Sequence, residues 1–356
     1  MKNRLANIFV LITVLFLIAG SFAFGLEVRD GRIKLVLHEG TGRFSLYYLS
    51  DFKEKKYIPF FADQDPRTSV ISLLIDNKIY KLGEASSFQE SSAKTNNGAE
   101  FVWKSPQFEI SEIFTPVSSN EAPLANGVKI EIDIKNLSEQ SFSVGLRFLL
   151  DTYLGEDSYI HFKTDRVNQI FKEQTITRAN MVKYWISPKQ GNADQFGLEC
   201  ITTGKGITVP DSIVFANWKR LNDSSWSYKT SVSRNFSLLP YSINDSAVAQ
   251  YYNPENLSKN MTRKIVIVLG KYDAKGYDIS SNQNKTNLNS LLKKAVSGEG
   301  ISDKYLSAQA DLSTVNKLLV QIDDALKSYE TISNDKVEFI EEILNGLKEK
   351  SKKYSQ

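Results

Sequence analysis

The sequence predicts a mainly β protein: a large antiparallel β-sandwich followed by a C-terminal α-helical hairpin. Between residues 24 and 272 the apolar residues recur with a period of two, which is the period of a strand. The segments there are short, rich in Val, Ile, Phe and Tyr, and interrupted by Gly, Asn, Asp, Ser and Pro. In the last part of the chain the period changes to three and four, which predicts helices. We therefore expect a β-sandwich domain (24–272), a linker (273–286) and a helical C-terminal region (287–356).

Two segments show what kinds of strand the β region contains. Residues 128–134 alternate between apolar and charged side chains, as a strand with one face in water does. Residues 142–150 have apolar side chains on both faces, which predicts a strand in the middle of a sheet. Short segments of this kind number about a dozen or more, too many for one immunoglobulin-sized unit of ~100 residues. One large sandwich and two smaller sandwiches in tandem both remain open.

The N-terminal segment has the composition of an export signal. Lys2 and Arg4 give a basic start, residues 8–19 are mostly apolar, and a small-x-small cleavage site ends at Ala23. Cleavage at this site removes residues 1–23. The apolar run is shorter than the ~20 residues that a spanning helix needs, so no membrane span is expected after cleavage.

The expected location follows from the same segment. A bacterial lipoprotein signal would have a cysteine where this chain has Ser21, so lipid anchoring is not expected. Export without an anchor predicts a periplasmic or extracellular protein.

Composition excludes several classes of function. The formal charge of +3 falls to 3 − 2 = +1 when Lys2 and Arg4 are removed, so a nucleic-acid partner is not expected. Cys200 is the only cysteine, and an intrachain disulfide is therefore excluded. His38 and His161 are the only histidines, and neither lies in a zinc or hydrolase motif. The sequence thus identifies no catalytic residue.

A group of acidic residues follows the predicted central strand. Asp151, Glu156 and Asp157 lie where that strand runs into a loop, and clustered carboxylate oxygens can hold Ca²⁺. Their spacing does not match an EF-hand, and turn-forming roles explain the acids equally well. Calcium is therefore the one cofactor that the sequence leaves open. Carboxylates near 151–165 could alternatively serve a carbohydrate-active enzyme, a glycoside hydrolase or an epimerase-like protein.

Aromatic side chains form a second candidate surface. Trp218, Trp226 and Tyr228 lie in a polar stretch together with Arg220. Aromatic faces rimmed by hydrogen-bonding groups suit sugar rings or protein hot spots, which predicts ligand binding at these four residues. The alternative is that these rings cover the edge of the core.

The helical region carries an apolar stripe that needs a partner. Its first arm has apolar residues at Leu312, Val315, Leu319, Ile322 and Leu326, and its second arm at Val337, Ile340, Leu344 and Leu347. Two arms of a hairpin leave part of each stripe exposed to water. We therefore expect residues 303–350 to dock on the sandwich or on residues 288–296, to form a homo-oligomer or to bind a partner protein.

Three stretches carry a resemblance to known proteins. At GLRFLLDTYLGEDS (145–158), PDSIVFANWKRLNDSSWSY (210–228) and NDSAVAQYYNPENLSKNMTRKIVIVLG (244–270) the chain resembles uncharacterised exported bacterial β-sandwich proteins. Its many-stranded plan also resembles the large supersandwich of the galactose mutarotase-like superfamily. Mutarotases use a histidine pair and a glutamate, and His38 and His161 do not align with those roles. The resemblance therefore implies a fold and no activity.

These patterns support one leading hypothesis and one alternative. The leading hypothesis is a non-catalytic exported envelope protein, which binds a glycan or protein ligand through the β-sandwich and a partner through the helical tail. The alternative is the carbohydrate-active enzyme that uses the carboxylates near 151–165.

Overall fold

The computed structural model describes residues 25–51, 54–61, 68–120, 122, 124–156, 160–189, 196–277, 279, 338, 341–342 and 345–346. The described residues form sheets of four, six and eight strands, and the paired strands are antiparallel. The protein is mainly β, as the sequence predicts.

In two of the sheets the spatial order of the strands differs from their order along the chain. In spatial order, the four-stranded sheet consists of β1 (Leu26–Asp30), β2 (Ile33–His38), β3 (Arg43–Asp51) and β4 (Lys56–Pro59). The six-stranded sheet consists of β13 (Gln174–Thr177), β16 (Ser212–Asn217), β17 (Ser246–Leu257), β11 (Phe142–Thr152), β5 (Val70–Ile75) and β6 (Lys78–Lys81). The eight-stranded sheet consists of β12 (Lys163–Thr164), β14 (Tyr184–Pro188), β15 (Gly197–Ile201), β18 (Thr262–Lys271), β10 (Gly127–Asn136), β9 (Phe108–Val117), β8 (Gly98–Lys104) and β7 (Gln89–Thr95).

The three sheets share one hydrophobic core. Phe44 of β3 contacts Phe114 of β9 at 4.9 Å and Phe148 of β11 at 6.3 Å between ring centroids, so all three sheets meet at this point. A single cluster of buried apolar side chains extends through them. The described β region is therefore one large packed unit and does not divide into two separate sandwiches.

The alternation of side chains explains both kinds of strand. In β10, Val128, Ile130 and Ile132 are fully buried, whereas Lys129 and Glu131 between them are partly exposed. β11 is paired on both sides, with β17 and β5, and both of its faces are buried. The prediction of a central strand at residues 142–150 is confirmed.

A short helix follows β16 and covers the outer face of the six-stranded sheet. α1 (Trp218–Asp223) begins where the side chain of Asn217 accepts a hydrogen bond from the backbone N–H of Arg220 at 3.3 Å. Leu221 is its one buried residue and joins a second apolar cluster on that outer face. The six-stranded sheet is therefore covered on both sides near α1.

The chain continues to pack against the eight-stranded sheet after β18. The ring of Tyr277 lies against Gly127 and Gly270, which are paired on β10 and β18. A Cβ added at Gly127 would lie 2.7 Å from Tyr277 Cε1, and one added at Gly270 would lie 2.2 Å from Tyr277 Oη. Only glycine leaves room for the ring at these two positions, so Tyr277 fastens this segment to the sheet.

The predicted export signal lies outside the described residues, and so does most of the predicted helical hairpin. In the C-terminal region the described positions are Glu338, 341–342 and 345–346, all helical. Glu338 accepts a hydrogen bond from the guanidinium of Arg32 at 2.9 Å, which brings this position against the β-domain. No helix among the described residues is long and apolar enough to cross a membrane.

Candidate functional site

The candidate site is one end of the six-stranded sheet. β11 ends at Thr152, which is paired with Ser246 at the start of β17. Ser246 is also paired with Asn217, the last residue of β16. Antiparallel pairing therefore brings together the residues that follow β11, precede β17 and follow β16.

Three carboxylates meet at this end. Asp151 lies in the last part of β11, Glu156 lies in the turn after it, and Asp245 immediately precedes β17. One carboxylate oxygen from each residue lies within 4.8 Å of the others. We refer to Asp151, Glu156 and Asp245 as the carboxylate triad.

Burial makes the triad electrostatically unusual. It raises the pKa of Glu156 to about 8, a hydrogen bond from the Ser246 backbone N–H opposes the shift, and the charges of Asp151 and Asp245 add to it. Burial also raises the pKa of Asp245. Among the described residues, neither Glu156 nor Asp245 forms a salt bridge with a lysine or arginine. Such a group can lower its free energy by keeping a proton or by binding a divalent cation.

The structure brings together two of the three residues predicted as metal ligands. Asp151 and Glu156 belong to the triad, and Asp157 lies outside the described residues. Asp245 was missed because it is distant in sequence and lies in no motif with the other two. The signal that could have found it is its position directly before the strand that pairs with β11.

Trp218 lies beside the triad. Its backbone N–H donates to the carbonyl of Asp245 at 3.1 Å, and its indole N–H donates to the carbonyl of Thr68 at 2.9 Å. The hydroxyl of the next residue, Ser69, accepts a hydrogen bond from the backbone N–H of Asp151 at 2.9 Å. Trp218 therefore lies between the segments that carry two of the triad carboxylates.

The other predicted ligand-binding residues lie elsewhere on residues 218–228, which cover the outer face of the six-stranded sheet. We refer to these residues as the covering segment. Arg220 and Tyr228 both donate to Glu173 Oε1, at 2.9 and 2.8 Å. The ring of Trp226 packs edge to face on Tyr251 at 5.9 Å and contacts the outer apolar cluster. Glu173, whose side chain is fully buried, was not recognised in the sequence because its two cationic neighbours, Arg220 and Arg234, are far along the chain.

The other reactive groups do not join the triad. His161 is buried against Phe236 at 4.3 Å between ring centroids, and burial lowers its pKa to about 4. His38 shares a hydrogen bond of 2.8 Å with Ser45, and burial lowers its pKa too. Burial raises the pKa of the Cys200 thiol, which keeps it protonated.

Comparisons with known proteins give a fold-level likeness. No family model matches the sequence, and no curated protein matches it significantly. A galactose mutarotase-related enzyme from Lactobacillus acidophilus matches with 11% identity, over 71% of this chain and 98% of its own, at a TM-score of 0.40. A galactose mutarotase-like protein from Lactobacillus casei matches with 8% identity, over 70% of this chain and 100% of its own, at 0.43. An aldose epimerase homologue from C. elegans matches with 8% identity, over 71% and 99%, at 0.38.

These structural neighbours belong to the group that the sequence resembles. At TM-scores this low, the likeness carries no conclusion about activity or ligand.

Proposed function

We propose that this protein is a non-catalytic exported envelope protein that binds a glycan at the carboxylate triad and Trp218. The observation that carries this proposal is that Trp218 and three carboxylates share one end of the six-stranded sheet. Sugar hydroxyls donate hydrogen bonds to carboxylates, and aromatic faces pack on sugar rings. A protein ligand is the second occupant that an aromatic surface with polar neighbours suits.

An exposed aromatic side chain in the loop that leads into Asp245 supports a ligand-facing role. Tyr241 lies in the loop 236–245 that leads into Asp245, and it is 73% exposed. The base of this loop is held by Asn217, whose side-chain amide donates to the carbonyls of Phe236 and Asp245, both at 3.0 Å. A well-anchored loop holds an aromatic ring in place at little entropic cost to binding.

We propose calcium as the cofactor of the triad. The ligand atoms offered by Asp151, Glu156 and Asp245 are all oxygens, which is the donor set that Ca²⁺ takes. Calcium takes about 6–8 oxygen ligands, so water and sugar hydroxyls would complete its coordination. Binding would require Glu156 to lose the proton that burial favours, and the charge of the ion would lower the pKa of that carboxyl.

The location and the second partner are proposed from the sequence. Residues 1–23 would direct the chain to the periplasm or to the cell exterior without a lipid anchor. Residues 303–350 would bind a partner protein or a second copy through their apolar stripe.

A glycan array, with and without calcium, tests the binding function. We expect binding to at least one glycan class, and we expect Asp245→Asn or Trp218→Leu to weaken it about tenfold or more, because each removes a direct contact. Asp133→Asn is the matched control, since Asp133 is a half-buried carboxylate on β10, outside the triad. Absence of binding to every glycan would contradict the proposal, and binding to a protein bait instead would support the second occupant.

The alternative is a carbohydrate-active enzyme at the same site, and two features favour it. Glu156 is expected to keep its proton at neutral pH beside two other carboxyl groups, as a general acid does. The separation of less than 4.8 Å is nearer to the ~5–5.5 Å of retaining glycosidases than to the wider spacing of inverting ones.

A turnover screen separates the enzyme from the binding protein. Product formation from glycoside or aldose substrates that is abolished by Glu156→Gln and by Asp151→Asn would establish catalysis. Binding that survives in these variants, with no turnover in the wild type, would establish the binding function.

A further inference from the structure

Arg147 differs from the other well-buried arginines. Four arginines whose side chains are less than a fifth exposed each form a salt bridge with a glutamate: Arg32 with Glu338, Arg43 with Glu84, Arg220 with Glu173 and Arg263 with Glu255. Arg147 is 1% exposed, and no carboxylate among the described residues lies within salt-bridge distance of it. A buried cation without an anion carries a large desolvation cost, so its surroundings need an explanation.

One edge of the Arg147 guanidinium is used to hold the covering segment. Its Nη1 donates to the hydroxyl of Ser224 at 3.1 Å and to the carbonyl of Trp226 at 3.2 Å. These contacts fix the chain that follows α1 over the outer face of the six-stranded sheet. They leave the positive charge without a formal counter-charge.

The other edge of the guanidinium has no partner among the described residues. Arg147 Nε and Nη2 are both buried and make no hydrogen bond. These two N–H groups form the planar fork with which arginine binds two oxygen atoms of a carboxylate, sulfate or phosphate.

Two further unpartnered hydroxyls lie on the neighbouring strands at the same level. Ser72 of β5 and Tyr251 of β17 are both paired directly with Arg147, one on each side. Directly opposed side chains have Cβ atoms about 4.5–5.5 Å apart on the same face of the sheet. The hydroxyls of Ser72 and Tyr251 are buried and make no hydrogen bond within the described part of the chain. Three adjacent strands therefore present four buried polar atoms without partners at one level of the sheet.

The electrostatic environment of Tyr251 agrees with this arrangement. Burial raises the pKa of Tyr251, and the Arg147 guanidinium partly offsets the shift through its charge and through a side-chain interaction with the phenol. The phenol thus lies close enough to the guanidinium for its pKa to be affected. At neutral pH it keeps its proton and remains a hydrogen-bond donor. The hydroxyl of Ser72 is a donor as well.

We propose that Arg147, Ser72 and Tyr251 bind a small oxyanion beneath the segment that follows α1. The guanidinium fork would hold two oxygen atoms of the anion, and the two hydroxyls would donate to its remaining lone pairs. The ligand class is a carboxylate group or an inorganic oxyanion of similar size. This site lies four residues before Asp151 on the same strand and the same face, about 13 Å from it at 3.3 Å per residue. It does not depend on the proposed glycan function.

Thermal melts in different anions test the proposal. The chain from Phe24 onward, which keeps every described residue, would be melted in chloride, acetate, sulfate and phosphate at equal ionic strength. We expect at least one oxyanion to raise the melting temperature above its value in chloride in a saturable manner. Acetate as the effective anion identifies a carboxylate ligand, and sulfate or phosphate identifies an inorganic oxyanion.

Conservative variants separate a binding role from a structural one. Ser72→Ala and Tyr251→Phe each remove one hydroxyl without removing the guanidinium, and each should weaken the oxyanion about tenfold. Arg147→Lys keeps the charge and loses the fork, so the saturable rise in melting temperature with oxyanion should disappear. Tyr252→Phe is the matched control, because the Tyr252 hydroxyl already has a partner and donates to Gln250 at 3.1 Å. Its melting temperature should respond to oxyanions as that of the wild type does. Melts that do not differ between chloride and the oxyanions would overturn the proposal, as would an oxyanion effect that is unchanged in Ser72→Ala and Tyr251→Phe.

Discussion

Glu173 and the carboxylate triad are two buried acidic sites beside the six-stranded sheet, and they differ in how their charges are paired. Glu173, just before β13, receives hydrogen bonds from Arg220, Tyr228 and the backbone N–H of Ser231, at 2.9, 2.8 and 3.1 Å. Arg234 lies 3.8 Å from its other oxygen. The carboxylate triad instead places three acids together, and neither Glu156 nor Asp245 has a lysine or arginine partner in the described part of the chain.

The difference separates an acid whose charge is paired within the protein from acids for which we propose a ligand. The charge of Glu173 is neutralised within the protein, so Glu173 and its partners hold the covering segment on the sheet. Glu156 and Asp245 of the triad have no lysine or arginine partner among the described residues, and burial raises the pKa of both. Three changes test whether the two groups really differ in this way.

The largest effect is expected from Arg220→Met. The side chain of Glu173 is fully buried and that of Arg220 is 17% exposed, so the variant leaves a buried carboxylate with a weakened counter-charge. We expect the free energy of unfolding to fall by about 3 kcal/mol, measured by urea denaturation.

Two controls show whether this loss comes from the buried pair. Arg178→Met breaks an exposed pair with Asp211 and should change stability by less than about 0.5 kcal/mol. The double variant Arg220→Met, Glu173→Gln should lose less than Arg220→Met alone, because it leaves no unpaired charge. Equal losses for the single and double variants would show that Glu173 is not the reason for the effect.

Calcium should act on the triad and not on Glu173. Titration into the calcium-free protein should raise the melting temperature, with a stabilisation of about 2–3 kcal/mol when calcium exceeds its dissociation constant a hundredfold. Asp245→Asn should remove most of this effect, whereas Asp133→Asn should keep it. A melting temperature that stays constant up to millimolar calcium would contradict the metal proposal.

The third change, Glu156→Gln, should stabilise the fold at high pH. The folded pKa of Glu156, about 8, exceeds the ordinary value of 4.5, so the protonated form stabilises the fold. That contribution is fully present below the unfolded pKa and is lost as the pH rises through about 8.

The variant should therefore match the wild type near pH 4 and have the larger free energy of unfolding near pH 9, in unfolding experiments with a chelator present. Gln retains an oxygen that can accept the hydrogen bond from Ser246, so packing changes little. A variant that is less stable than the wild type at high pH would mean that the triad holds a cation other than calcium or is neutralised in another way.

The sequence predicts the fold better than the site, and particular residues show why. The alternation through Val128, Ile130 and Ile132 is local, so β10 could be recognised from residues two apart. Asp151 and Glu156 were recognisable because they lie at the end of a buried strand and in the turn after it. Asp245 was not, because its proximity depends on the pairing of β11 with β17, which no local pattern encodes.

The same limit applies to the ion pairs and to the proposed anion site. Glu173 is joined to Arg220 and Arg234 only through the fold. Arg147 was visible as a charged residue on a strand with two apolar faces, but its significance depends on what lies opposite it. Ser72 and Tyr251 come from strands that are distant in sequence, so the unpartnered hydroxyls appear only when the register is known.

Tyr277 also determines where a force applied to the C-terminal region would be transmitted to the β-domain. Its ring is wedged over Gly127 and Gly270, and its hydroxyl donates to the carbonyls of Asn126 and Lys271 at 3.1 and 2.8 Å. A pull on the chain beyond residue 279 would therefore be resisted by Ile279, which packs in the same apolar cluster, and by the ring of Tyr277 with the two strands beneath it. Since β10 and β18 lie in the middle of the eight-stranded sheet, the force would be spread over neighbours on both sides instead of peeling β18 from its end.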